Sequence, residues 1–126
     1  MNGRSIISKL FAISVLCVSA GCTSILQEGA LIGAQKEMKK GKYDLALNKL
    51  SQAEHSKTPA LVMAAEITFL RAECYERMGR VAEARGAYSF TVESFPDTVY
   101  GRMAQERLKE MELSSEPGGP ASVAVP

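Results

Sequence analysis

Net charge, cysteine, histidine and long apolar runs are all scarce in this 126-residue sequence. Lysine and arginine number 15 against 14 aspartates and glutamates, so no bulk charge draws the chain to nucleic acid. The single histidine, His55, stands in an inter-helix loop with no cysteine or carboxylate beside it at a metal-ligand spacing, which argues against a metal site. Gly118-Gly119 falls in a low-complexity segment rather than ahead of a helix, so it is no phosphate-cradling loop. The carboxylates of Glu66, Glu73, Glu76 and Glu83 recur at helical spacing from Arg71, Arg77 and Arg80, a pattern of surface solvation before it is one of acid-base catalysis. No catalytic constellation emerges. The sequence predicts no enzyme, no metal and no dissociable cofactor.

The uncharged run from Leu10 to Gly21 follows two cations, Arg4 and Lys9, and is shorter than the roughly 20 apolar residues a membrane span needs. A charged start, a short apolar stretch and the small residues Ser19-Ala20-Gly21 are the parts of an export signal. Cys22 follows directly, and Val18-Ser19-Ala20-Gly21-Cys22 resembles the lipobox of bacterial lipoproteins, with Ser19 where a bulky apolar residue is usual. An ordinary secretory signal with an incidental cysteine is the alternative. The resemblance implies removal of residues 1–21 and a covalent lipid, diacylglycerol and an N-acyl chain such as palmitate, on Cys22. Each buried CH₂ contributes about 0.8 kcal/mol, so several chains anchor a protein where one holds only marginally. Cys17 follows Leu16, where a small residue is needed, and is a poorer candidate. Thr23 stands where enterobacterial lipoproteins kept in the inner membrane carry aspartate, so the implied location is the periplasmic face of the outer membrane.

Residues 22–126 then carry 13 basic and 14 acidic residues, a single small domain of net charge −1. Cys17 departs with the signal and Cys22 is acylated, which leaves Cys74 without an intramolecular partner. Lying mid-helix among apolar neighbours, Cys74 reads as a buried, inert thiol, with a reactive or intermolecular role as the alternative.

Strand signals are few, while glycine and proline mostly punctuate segments of helical period, so the chain is predicted to be all-α with about five helices. A linker over 22–24 leads into a first helix from about Ile25 to Lys40, with Leu26, Ala30, Ala34 and Met38 on its core side and Gly41 ending it. The second helix presents Tyr43, Ala46, Leu50 and Ala53. Thr58 and Pro59 form an N-cap and first-turn pair for a third helix running to Met78. That helix is the most apolar and carries two stripes: Ile67, Leu70, Cys74 and Met78 on one side, Ala65, Phe69, Ala72 and Tyr75 on the other. Gly79 closes it. The fourth helix shows Val81, Ala84, Tyr88, Thr91 and Phe95. Pro96 stops it, and Asp97 or Thr98 caps a fifth with Tyr100, Met103, Ala104, Leu108 and Met111 inward. From 114 to 126 the composition turns to serine, proline and glycine, which cannot bury enough apolar surface to offset the entropy of ordering, so this tail is predicted to be disordered.

The hairpins repeat. Gly41-Lys42-Tyr43-Asp44-Leu45-Ala46 aligns with Gly79-Arg80-Val81-Ala82-Glu83-Ala84 at a separation of 38, and Ala34, Leu50 and Ala53 match Ala72, Tyr88 and Thr91. Residues 65–98, from Phe69-Leu70-Arg71-Ala72 through Phe95-Pro96-Asp97-Thr98, resemble the tetratricopeptide repeat, a helix-turn-helix unit of about 34 residues; residues 27–58 match it more weakly. The repeat type is similar to that of outer-membrane β-barrel assembly lipoproteins and Tol-Pal coordinator domains. The resemblance implies an α-solenoid over 25–113, with two repeats and a capping helix whose outer face carries Arg102, Glu106, Lys109 and Glu110.

In this family the first helix of each repeat lines a concave groove for peptides. The matching positions are Glu66, Phe69, Glu73, Glu76 and Arg77 in the second repeat, with Leu31, Gln35, Met38 and Lys39 from the first. Phe69 is the apolar anchor, unless it packs against the preceding repeat, and the flanking acids favour a partner segment with lysine or arginine. The expected function is a membrane-anchored adaptor that binds an envelope protein in outer-membrane biogenesis, secretion, pilus or polysaccharide export. The rival is a structural lipoprotein linking the outer membrane to peptidoglycan.

Overall fold

The computed structural model describes residues 25–56 and 58–115. The expected export signal, Cys22, the expected linker and the segment beyond Ser115 lie outside those residues. Within them the chain is all-α, with no strand: α1 covers residues 25–39, followed by α2 (Tyr43–Ser56), α3 (Leu61–Arg77), α4 (Val81–Ser94) and α5 (Val99–Ser115). Among the described residues no helix is long and apolar enough to cross a membrane.

The turns repeat at the level of individual hydrogen bonds. Gly41 and Gly79 both take left-handed φ values, +73° and +75°, where glycine alone escapes the Cβ penalty. At the first turn Gly41 N–H donates to Met38 O at 2.9 Å and Lys42 N–H to Glu37 O at 2.9 Å; at the second, Gly79 donates to Glu76 O at 3.0 Å and Arg80 to Tyr75 O at 2.9 Å. Both are Schellman closures, which satisfy the last carbonyls of α1 and α3. The 38-residue repeat is carried into the core as well: Ala34 and Ala72, Ala46 and Ala84, Leu50 and Tyr88, and Ala53 and Thr91 are all fully buried.

Packing makes α3 the shared wall of two clusters. Ile67, Leu70 and Cys74 close one with Leu31, Ala34, Ala46, Leu50 and Ala53, while Phe69 and Ala72 close the other with Ala84, Tyr88 and Ala104. The two stripes expected on this helix supply those faces through Ile67, Leu70 and Cys74 and through Phe69, Ala72 and Tyr75, while Met78 and Ala65 belong to neither cluster. Cross-helix contacts give the directions: Gln27 meets Ala53, Glu54 meets Arg71, Thr68 meets Thr91 and Arg85 meets Met111, so successive helices are antiparallel. Glu66 lies with Tyr100 and Glu76 with Arg107, so α3 and α5 run parallel. The result is a short stack of helix-turn-helix units with α5 over the last of them.

Several boundaries and faces differ from the expectations. The inward line of α1 is Gln27, Leu31 and Ala34 rather than one starting at Leu26, which is 67% exposed; Gln27 is brought in because its amide donates to the Ala53 carbonyl at 2.9 Å. The third helix starts at Leu61, behind an Ala60 of extended geometry and without a side-chain cap, so Thr58 and Pro59 belong to the connection. Proline disfavours helical geometry in the residue before it, and the first helical bond is Ala64 N–H to Ala60 O at 2.9 Å. At the fifth helix Thr98, not Asp97, is the cap: its hydroxyl oxygen accepts from Gly101 N–H at 3.0 Å. Val81 and Met103, expected inward, are exposed; α4 packs Ala84, Tyr88 and Thr91 inward with Ala87 and Val92 partly buried beside them, and α5 packs Tyr100, Ala104, Leu108 and Met111. The fifth helix also outlasts its predicted end. Arg85 donates to Met111 O at 2.9 Å and to the Ser115 hydroxyl at 3.2 Å, tying the last turn to α4. His55 belongs to the last turn of α2, with Nδ1 2.7 Å from Ser51 O, rather than to a loop.

Candidate partner-binding face

Three side chains join the first helices of the units across one face. On α1, Gln35 donates its amide to Glu66 of α3 at 2.9 Å. On α5, Tyr100 lies close to the same Glu66; burial first, and that carboxylate next, raise its pKa. Further along α3, Glu76 accepts from the Tyr88 hydroxyl at 2.8 Å and from the Arg107 guanidinium, which also pairs with Glu110. Glu66 and Glu76 are therefore held by the fold. Neither pairs with Arg71, Arg77 or Arg80: Arg71 reaches Glu54 on α2 at 2.6 Å, and Arg80 takes Glu83 at 2.6 Å.

Between these two lies Glu73. It is half-buried, makes no ion pair among the described residues, and has its pKa raised, chiefly because burial strips water from the charged form. Arg77 and Arg107 oppose that rise and Glu76 adds to it. The carboxylate is thus partly desolvated and, although Arg77 and Arg107 act on it, in no ion pair with either, so an incoming lysine or arginine can pair with it. Arg77, one turn on, is exposed.

Phe69 is not the apolar anchor of this face. Its side chain is 4% exposed and its ring packs at 5.6 Å from Tyr88 and 5.7 Å from Tyr100. Parallel packing of α5 along α3 places Tyr100 there, a contact that the period of a single helix does not reveal. Leu31 is likewise core at 7% exposure, and Met38 is half-buried against the first cluster. Lys39 is exposed at the end of α1, beyond Gln35. What the structure assembles is a polar strip of Gln35, Glu66, Glu73, Glu76 and Arg77, to which α5 adds Tyr100 and Arg107. The last two were not among the expected groove residues. Arg107 lies on the opposite side of α5 from the outer residues Arg102, Glu106 and Lys109, and only its proximity to α3 reveals a role.

The opposite side of the stack holds a depression of about 260 Å³ lined by Glu54, Thr68, Arg71, Ala87 and Phe90. Cys74 is fully buried, and burial pushes its thiol up to about 11, which fits the inert reading. No group of three metal-ligating side chains occurs among the described residues. No family model, curated protein or solved structure matches the chain.

Proposed function

We propose that the protein is a lipid-anchored periplasmic adaptor on the bacterial outer membrane, whose α1–α3–α5 face takes a basic segment of a protein partner in an envelope assembly. The reading is supported above all by Glu73, a half-buried carboxylate without an ion-pair partner among the described residues, set between two carboxylates already engaged. A partner's lysine or arginine would give this carboxylate an ion pair. The Gln35, Glu66 and Tyr100 cluster and the Glu76, Tyr88 and Arg107 cluster keep the helices on either side in place, so the strip is preorganised rather than formed on binding. Arg4, Lys9, the short apolar run and Ala20-Gly21-Cys22 support the anchor.

The test is affinity capture from detergent-solubilised envelopes, with the wild-type chain compared with Glu73→Lys. A protein retained by the wild type and lost by the variant, with helical content unchanged, is the expected result. Undiminished capture by Glu73→Lys removes the face from consideration. Cosedimentation with purified peptidoglycan in place of protein capture favours the linker. Mass spectrometry of the mature N-terminus tests the anchor separately, through the acyl mass on Cys22.

A further inference from the structure

α1 has an outward side that nothing in the described chain covers. Ile25, Leu26 and Ile32 are 70%, 67% and 66% exposed, and Gly29 has open space where a Cβ would stand. At about 100° per residue, Ile25, Gly29, Ile32 and Lys36 fall on one line opposite the buried Gln27, Leu31 and Ala34. The line changes chemistry along its length. Its first two turns are apolar, with Leu26 at one shoulder and Glu28 at the other; its last turn and the bend beyond are basic, with Lys36, Lys39, Lys40 and Lys42 exposed. The nearby Glu37 is already bonded to Lys40 at 3.0 Å. The other end of the stack is different, since α5 turns Arg102, Glu106, Lys109 and Glu110 to solvent. Terminal units of a repeat array need a polar outer face; along its middle α5 has one in Arg102, Glu106 and Lys109, with Val99, Met103 and Leu113 exposed beside it, whereas the first half of α1 has only Glu28.

Chain length says what covers it. Cys22 stands three residues before Ile25, and an extended chain gains at most about 3.5 Å per residue, so an acyl group there holds Ile25 within about 10 Å of the lipid. We propose that this face of α1 lies in the interface of an anionic phospholipid bilayer, with Ile25, Leu26 and Ile32 at the boundary of headgroups and acyl chains and Lys36 and Lys39 on the anionic headgroups. An amphipathic helix of this kind settles about 5–10 Å into the interface, and lysines near the surface reinforce it electrostatically. The inference rests on acylation of Cys22 as proposed above. It makes α1 a second membrane contact that orients the domain, with α5 at the far end of the stack turned toward the periplasm.

The acylated full chain carrying Gly29→Cys tests this. The substitution fits the open space at Gly29, and the buried Cys74 is shielded from the label. An environment-sensitive fluorophore at position 29 is compared with one at Glu106→Cys, in vesicles of phosphatidylethanolamine and phosphatidylglycerol containing a headgroup-depth nitroxide lipid. Quenching at position 29 is expected to exceed that at position 106 by about threefold or more, as contact at interfacial depth requires. It should fall to the position 106 level when Ile25→Gln and Ile32→Gln are added, and weaken when phosphatidylcholine replaces phosphatidylglycerol. Equal quenching at both positions overturns the inference. So does protection of position 29 that grows with protein density without lipid quenching, which assigns the face to a second copy. An unacylated N-terminus removes the anchor and this inference together; an acylated one with an unquenched position 29 removes the inference alone.

Discussion

Tyr88 on α4 donates its phenolic hydrogen to Glu76 on α3 at 2.8 Å, while its side chain is fully buried and its ring sits 5.6 Å from that of Phe69. One residue thereby fills the volume between two helices and places a hydrogen bond at the edge of the candidate face. The Arg107 guanidinium on the same carboxylate extends the link to α5. Leu50, the matching residue of the first unit, fills the corresponding space without a polar end.

Tyr88→Phe keeps the ring and removes the bond, and is expected to cost about 1 kcal/mol in urea unfolding, since Glu76 keeps Arg107. Tyr88→Ala is expected to cost about 3–5 kcal/mol through the cavity. Burial first, and Glu76 next, raise the Tyr88 pKa above its unfolded value of about 10. The unfolded chain therefore loses this proton first as pH rises. The stability advantage of wild type over Tyr88→Phe is expected to be full below about pH 10 and to shrink above it.

Gly101 is required by a close approach. A Cβ at this buried position would stand 2.1 Å from the Phe95 carbonyl oxygen, in the junction that Thr98 caps. Gly101→Ala is expected to destabilise by about 2–3 kcal/mol, as overpacking against backbone does. Gly86→Ala, in the exposed middle of α4 with nothing within 4 Å of the added carbon, is expected to stabilise by about 0.5–1 kcal/mol. Thermal unfolding of the two variants in parallel checks both signs.

Glu73 carries a pH dependence of the opposite origin to a salt bridge. Desolvation raises its folded pKa above the unfolded value of about 4.3, so holding it charged opposes folding at neutral pH. Its contribution is most favourable below the unfolded pKa and is lost as pH rises through the folded one. Glu73→Gln is expected to be more stable than wild type at pH 7 and to lose that advantage below about pH 4.3, while capturing less partner. Urea titrations at the two pH values, with capture assayed in parallel, separate the two effects.

Cys74 should resist thiol reagents while the chain is folded. Its thiol is fully buried and pushed up to about 11 by that burial, with the Glu73 carboxylate adding to the effect. Against an unfolded pKa of about 8.5, this alone lowers the thiolate fraction by roughly 200-fold at pH 8. Reaction with an aromatic disulfide is expected to be slower by at least that factor than in urea. Equal rates would show that α3 opens readily.

Helix content and the repeat were legible in the sequence because both are local and periodic. Gly41 and Gly79 stop helices through their own backbone freedom, the two stripes on α3 follow from its period, and the small residues at 34, 46, 72 and 84 mark where backbones must approach. The candidate face was legible only in part. Its residues on α3 follow from the repeat register, but which are free to bind depends on neighbours far along the chain. Phe69 passed from anchor to core because Tyr100 lies over it. Gln27 rather than Leu26 faces inward, its amide bonded to the Ala53 carbonyl of α2, and Glu76 is engaged because α5 runs parallel to α3.

The sequence by itself determined that the described chain is helical, where four of its turns fall and that two units share one register, since these depend on backbone preference and on the period of apolar residues. Only the tertiary structure decided that Glu73 is half-buried on the candidate face without an ion pair among the described residues, and that α1 leaves Ile25 and Ile32 uncovered. Both depend on which side chains meet between helices far apart in the chain, as Gln27 meets Ala53 and Gln35 meets Glu66, a matter of packing geometry that no local pattern encodes.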